Sequence, residues 1–175
     1  MTDENIDDTE QILDQLMQEY SDGILHLAYT YVKNKVTAED LTQEIFIKCY
    51  ENLGQFNQQA SIKTWLYRIA SNHCKDYLRS WHHRKITLNE QIWDYIPSKS
   101  KQIEEKVIEK DEGDSLTEAV MALPIKYREV VFLHYYQELT IAEISNVTTV
   151  NVNTLKTRLK RAKELLKDKI EKEVH

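Results

Sequence analysis

The chain has 175 residues, 41% hydrophobic and 30% charged, with 3 Gly, 2 Pro and a net charge of -6. That balance excludes a disordered chain and allows one ordinary domain or two small ones, while the scarcity of Gly and Pro argues against a turn-rich β architecture. No apolar run approaches the roughly 20 residues a bilayer requires, and the acidic start MTDENIDDTE is not a secretion signal, so a cytoplasmic protein without direct membrane insertion is expected.

Apolar residues from Ile12 to Tyr31 recur at helical spacing, which predicts a helix over 10–33, broken or bent near Ser21–Gly23. A second helix is expected over 37–53, with Thr37 and Asp40 resembling a capping box and Leu41, Ile45, Phe46, Cys49, Tyr50 and Leu53 forming its stripe. The polar GQFNQQA reads as a loop, and Ser61 can cap the helix that follows. In that third helix Trp65, Leu66, Ile69, Ala70, Cys74, Tyr77, Leu78 and Trp81 share an apolar face. Lys63, Tyr67, Arg68, Ser71, Asn72, Lys75 and Arg79 fall on the others. Packing explains the first set; the dense mixture of cations, amide and hydroxyls does not follow from packing.

Charge is segregated along the chain. Residues 1–22 carry acids and no Lys or Arg, 63–85 carry six cations against Asp76 alone, and 156–163 carry five cations and no acid. Local charge sets affinity for phosphate over a screening length of about 8 Å, so two basic patches suggest two nucleic-acid contacts. The acidic start is expected to compete with phosphate for them, leaving the isolated protein a poor binder of nucleic acid.

From about 86 to 114 the periodicity fails in a highly charged stretch, which reads as a linker with a short helix near 102–110. Periodicity then returns. SLTEAVMAL gives a short helix stopped by Pro124, IKYREVVFLHYYQ gives another, and residues 140–170 give a helical pair opened by the capping signature Thr140–Glu143. The second of that pair has Val152, Leu155, Leu159, Ala162, Leu166 and Ile170 on one face. Its exposed N-terminal positions hold Asn151, Asn153, Thr154, Lys156, Thr157, Lys160 and Arg161, a composition suited to base edges and phosphates in a helix-turn-helix. The turn has Thr148–Thr149 where such units often use Gly; a β-branched residue at positive φ is costly, so a different turn geometry is expected.

Cys49 and Cys74 lack metal-ligand or redox spacing and read as buried packing residues; His73, His82 and His83 read as groove or surface residues. No zinc spacing, paired-carboxylate cluster or Gly-rich phosphate loop is visible, so neither a metal nor a cofactor nor enzymatic activity is expected. Two readings of the binding chemistry stay open. One is a binding and strand-opening subunit with no catalysis of its own. The other is an autonomous helix-turn-helix regulator with an N-terminal sensing or dimerisation domain; the single-strand chemistry of 61–85 separates them.

Together, DLTQEIFIKCYENLGQF, SIKTWLYRIASNHCKDYLR and VNVNTLKTRLKRAKELL resemble the extracytoplasmic-function (group 4) sigma factors of bacterial RNA polymerase, over about 15–84 and 115–170. The resemblance implies an all-α protein of two helical domains on a flexible linker. In that scheme 10–85 is region 2 (core-polymerase binding, minus-ten recognition and melting), 86–114 the linker and 115–172 region 4 (minus-thirty-five recognition). It implies contacts from Asp40, Leu41, Gln43, Glu44 and Phe46 to the polymerase clamp. Minus-ten DNA is implied for Phe56, Ser61, Lys63, Trp65, Arg68, Asn72, Lys75 and Arg79, with Phe56 to Ser61 pocketing an unstacked base. Minus-thirty-five DNA is implied for Asn153, Thr154, Lys156, Thr157, Arg158, Lys160 and Arg161. Trp65 sits on the apolar stripe, so a core anchor and a stacking platform both remain open for it. The implied partners are core polymerase through clamp and flap, promoter DNA in duplex and single-stranded form, and an anti-sigma factor, often membrane-anchored in the family. Departures from the family pattern are Asn153 in place of Gly, the missing turn Gly and an unusually charged linker.

Overall fold

The computed structural model describes residues 3–92 and 112–174, and within them the only regular structure is helical. The expected short helix near 102–110 lies outside the described residues. Helix α1 spans Asp3–Val32, α2 Lys35–Asn52 and α3 Ile62–Ile92. They are followed by α4 (Glu112–Met121), α5 (Ile125–Val131), α6 (Ile141–Thr148) and α7 (Val152–Val174).

Helix α1 runs unbroken through Ser21–Gly23, so of the break or bend expected there the break is absent. Gly23 keeps an ordinary helical φ, and its neighbours Ile24, Leu27 and Ala28 are fully buried, so packing holds the helix through its weakest residue. Lys33 ends α1 in the left-handed region at φ 53°, its N–H bonded to the Tyr29 carbonyl at 2.9 Å. The cap of α2 is Asn34, whose side chain accepts from the Thr37 N–H at 2.9 Å. Thr37 is therefore inside the helix rather than its cap, because the amide oxygen three residues upstream of the expected start accepts from its N–H.

Ser61 does cap α3, its Oγ accepting from the Thr64 N–H at 3.1 Å. At 31 residues α3 is about 46 Å long, and it carries on through 86–92, which the sequence reading gave to the linker. The apolar stripe ends near Trp81 and so does the periodic signal. No Gly or Pro interrupts the chain between Ile62 and Pro97, so nothing in the sequence breaks the helix where its stripe ends.

Helices α1 to α3 pack around Leu16, Ile24, Leu27, Ala38, Leu41, Ile45, Phe46, Leu66 and Ala70. The buried thiols of Cys49 and Cys74 join this core, and burial pushes both up to about 12, which leaves them as uncharged packing groups at neutral pH. Helices α4 to α7 enclose Val120, Leu123, Val130, Leu133, Ile144, Val147, Leu155 and Ala162. After α5 the chain makes one π-helical turn over Phe132–Tyr136, closed by the Gln137 N–H on the Phe132 carbonyl at 3.1 Å. The extra residue leaves Phe132 and Leu133 buried and turns Tyr135 and Tyr136 outward.

The two halves are in contact. Helix α6 lies against α3, α5 reaches α1, and the buried residues of both halves form one contiguous core.

Candidate nucleic-acid interface

The helix-turn-helix is built by local hydrogen bonding. Thr140 and Glu143 form a complete capping box at the start of α6, with the Glu143 N–H on Thr140 Oγ1 at 3.2 Å and the Thr140 N–H on Glu143 Oε2 at 2.8 Å. The turn corrects the sequence expectation of another geometry. Thr149 takes the left-handed conformation at φ 59° in spite of its branched side chain, at a cost of roughly 1–2 kcal/mol. Around it the Thr149 N–H bonds the Ser145 carbonyl at 2.8 Å, and the Ser145 hydroxyl donates to the Val150 carbonyl at 2.7 Å. Asn151 then caps α7, its side chain accepting from the Asn153 N–H at 2.8 Å. Leu155, Leu159 and Ala162 are buried, while Asn153, Thr154, Lys156, Thr157, Lys160 and Arg161 are exposed and Arg158 is half-buried. Arg161 is held at rest by Glu164 at 2.9 Å, a surface pair that gives way at little cost.

The polar residues of α3 divide between two faces. One face, with α2, walls an open cleft of about 370 Å³ lined by Lys48, Asn52, Gln55, Trp65, Arg68, Ile69, Asn72, His73 and Asp76. Arg68 and Asn72 are exposed there. Trp65 is half-buried: it packs on the core with one side, meets Phe56 at 5.3 Å between ring centroids, and lines the cleft with the rest. Both roles left open for it fit that position. Arg79 is exposed and pairs with Asp76 at 2.6 Å. His73, read as a groove residue, bonds Glu44 on α2 at 2.6 Å and keeps a buried Nδ1 without a partner.

The other face of α3 carries Lys63, Tyr67, Ser71 and Lys75, each one turn from the next. It meets α5 and the π-helical turn instead of solvent. Lys75 pairs with Glu129 at 2.8 Å, and the Ser71 hydroxyl donates to the same carboxylate at 2.8 Å. Tyr31 of α1 donates to it as well. Lys63 Nζ donates to the Gln137 carbonyl at 2.6 Å, and the Tyr67 hydroxyl to Gln137 Oε1 at 2.5 Å. Tyr67 and Ser71, expected among the outward residues, are fully buried here. Burial foremost, then the Glu129 charge, pushes the Tyr31 phenol well above its ordinary value, so it remains a donor.

Glu129, Gln137 and Tyr31 were not singled out from the sequence. The available signal was a carboxylate in the apolar run REVVFL, at 3% exposure a position that only a paired charge can occupy. Among the described residues the acid that meets the α3 lysines comes from α5, Glu129 on Lys75. The described acids Glu10 and Asp14 line a different groove of about 540 Å³ between α1 and α2, with Leu13, Met17, Gln43, Phe46, Ile47 and Tyr50. Asp40, Gln43 and Glu44 are exposed on α2, whereas Leu41 and Phe46 are 2% and 4% exposed. Leu41 thus has no surface to offer a partner and serves to hold α2 in place; Phe46 reaches only the floor of the groove.

Among the described residues no cluster of His, Cys, Asp or Glu could hold a metal ion, and no helix is long and apolar enough to cross a membrane.

Comparison with known proteins gives a consistent picture. The Sigma-70 region 2 family matches residues 16–84, and the Sigma-70, region 4 family matches residues 113–166. The ECF RNA polymerase sigma factor SigW of Bacillus subtilis is 32% identical over 158 residues, covering 86% of this chain and 84% of that one. The RNA polymerase sigma factor SigV of the same organism is 31% identical over 165 residues, covering 94% and 95%. Among solved structures, the sigma factor RpoE in complex with the anti-sigma factor NepR from Bartonella quintana superposes with a TM-score of 0.70 at 20% identity, over 90% of this chain and 96% of that one. At that identity the likeness is one of fold.

Proposed function

Because the chain belongs to the ECF RNA polymerase sigma factors, we propose that it is a group 4 member in which 10–85 binds core polymerase and opens the minus-ten element. In this reading 115–172 reads the minus-thirty-five element, and 86–114 joins them. The observation that carries the assignment is the cleft on α3, where Arg68 and Asn72 stand exposed beside the Phe56–Trp65 pair. Opening a duplex without ATP requires that the melted strand be held better than the duplex. Aromatic surfaces contribute about 1–3 kcal/mol per stacked base, and amide and guanidinium groups can bond the edge of a flipped one. The cleft offers both within one wall.

The second DNA contact is the exposed N-terminal face of α7, where Asn153, Thr154, Lys156, Thr157, Lys160 and Arg161 reach base edges and phosphates and Arg158 supports them. Core polymerase docks on α2 through Asp40, Gln43 and Glu44, beside the acid-rimmed groove of α1 and α2. Region 4 meets the flap. The chain supplies no catalytic group; RNA synthesis belongs to the polymerase, in the cytoplasm. The similarity to a sigma factor solved with its anti-sigma factor supports an anti-sigma partner for this chain too.

Run-off transcription with core polymerase on a promoter library tests the reading. Specific initiation on a subset of templates is expected, and absence of any transcript on every template refutes it.

A further inference from the structure

A buried positive charge calls for an acid, and on α5 one such charge has none. Arg128 is 4% exposed, and an arginine so deeply placed is almost always paired with a carboxylate. Its neighbour Glu129 is engaged by Tyr31, Ser71 and Lys75 instead. Arg128 Nη1 donates to the Met121 carbonyl at the end of α4 at 3.2 Å, and its buried Nε has no partner. A carbonyl offers only a partial charge and leaves most of the guanidinium fork uncompensated. Burial holds the guanidinium below its ordinary value, and no described acid offsets it.

Two ammonium groups belong to the same place. Helix α5 packs against both α1 and α7, and Lys33 ends the first while Lys169 lies on the C-terminal half of the second. Lys33 is held below its ordinary value by partial burial first, then by the charges of Arg128 and Lys169, so the cations bear on one another. Among the described residues none of the three forms an ion pair. Lys33 also occupies the left-handed position at φ 53°, where Gly is the usual residue, so backbone preference does not account for a lysine there. The folded chain thus gathers like charges from three elements at the seam between its halves. That arrangement is unfavourable by itself and becomes favourable when an anion sits among them.

The chemistry narrows the anion. A guanidinium fork matches the paired oxygens of carboxylate or phosphate, and an ammonium acts on either as a point charge. One carboxylate would answer a single cation of the three. A diphosphate brings enough charge, and oxygens far enough apart, to meet them all. Duplex DNA fits less well: Arg128 forms the floor of the site, and Lys169 stands about 24 Å along α7 from Asn153.

We propose that Lys33, Arg128 and Lys169 form a binding site for a diphosphate, either free pyrophosphate or the diphosphate group of a nucleotide. Arg128 orients the phosphate oxygens from below, and the two lysines neutralise them at the rim. The site shares no residue with the promoter contacts proposed above and stands independently of them.

Titration calorimetry of the full-length chain with sodium pyrophosphate at constant ionic strength tests it. Saturable binding to one site is expected, with a thermal transition that rises with ligand concentration. Lys33→Gly and Lys169→Gln are each expected to weaken binding about tenfold, the loss of one charge-assisted hydrogen bond. Gly is favoured at φ 53°, so Lys33→Gly should be at least as stable as the wild type without ligand, which separates loss of the site from loss of the fold. Lys126→Ala removes a charge two positions from Arg128, on another side of α5, and should leave binding unchanged. ADP binding as tightly as pyrophosphate assigns the site to a nucleotide, and binding of pyrophosphate alone assigns it to the free anion; either supports the inference. Absence of saturable binding by both overturns it, as does unchanged affinity in the two lysine variants. Equal weakening by Lys126→Ala marks a diffuse basic field and overturns it too. So does a Lys33→Gly variant that loses affinity for DNA but not for pyrophosphate, which marks a contact to the nucleic-acid backbone.

Discussion

Helices α3 and α7 are the two basic helices of this protein, and they hold their charges differently. On α7 the cations at 156, 160 and 163 face water, and the pairs they and their neighbours form, such as Arg161 with Glu164, lie on the surface. On α3 the basic run is split: Arg68 and Arg79 are outside, while Lys63 and Lys75 are engaged by residues more than fifty positions later in the chain. Two basic runs in the sequence thus give one surface that is available at rest and another that is half committed. A cation is free for DNA only if no acid of the folded chain reaches it first.

Four substitutions break or sharpen that contrast. The largest effect is expected of Lys75→Met, which leaves the buried Glu129 carboxylate without its cation and costs the contact between the two halves about 3–5 kcal/mol. Calorimetry should show the single transition of the wild type separating into two. Arg161→Ala removes no internal support and is expected to weaken binding to a minus-thirty-five duplex by about 1–3 kcal/mol, with thermal stability unchanged. Thr149→Gly relieves the left-handed strain of the turn before α7 and should raise stability by somewhat under about 1 kcal/mol in a denaturant titration. The smallest change in stability, within about 0.5 kcal/mol, is expected of Asn72→Ala, since the side chain is exposed. Its effect should appear in strand opening, read by permanganate footprinting, while polymerase binding persists; equal loss of both would refute the role given to it.

The helices were legible in the sequence wherever a buried stripe repeats, as in α2, the first half of α3 and α7. So was the capping box of Thr140 and Glu143, because a cap depends on residues three apart. Four things were hidden for physical reasons. The continuity of α1 through Gly23 depends on packing from other helices, and the extension of α3 beyond 85 depends on the absence of a breaker rather than on a pattern. The left-handed Thr149 violates a local preference, and its neighbours supply the bonds that hold it. The seam is a matter of long-range partnership, so the same periodicity that places Lys63, Tyr67, Ser71 and Lys75 on one face cannot say that Glu129 and Gln137 cover it. The cleft is legible in composition and invisible in shape: Lys48 and Asn52, which complete its wall, come from α2.

The length of α3 has a mechanical consequence. From Ile92 to Glu112 the chain can stretch to at most about 70 Å, which sets a leash on how far the two halves can stand apart. Each turn unwound from the end of α3 would pay out roughly 7 Å more, the difference between extended and helical rise over 3.6 residues. A strut that can be spooled into rope would let one polypeptide bridge unequal gaps, and the helix end at Ile92 marks where the spool would begin.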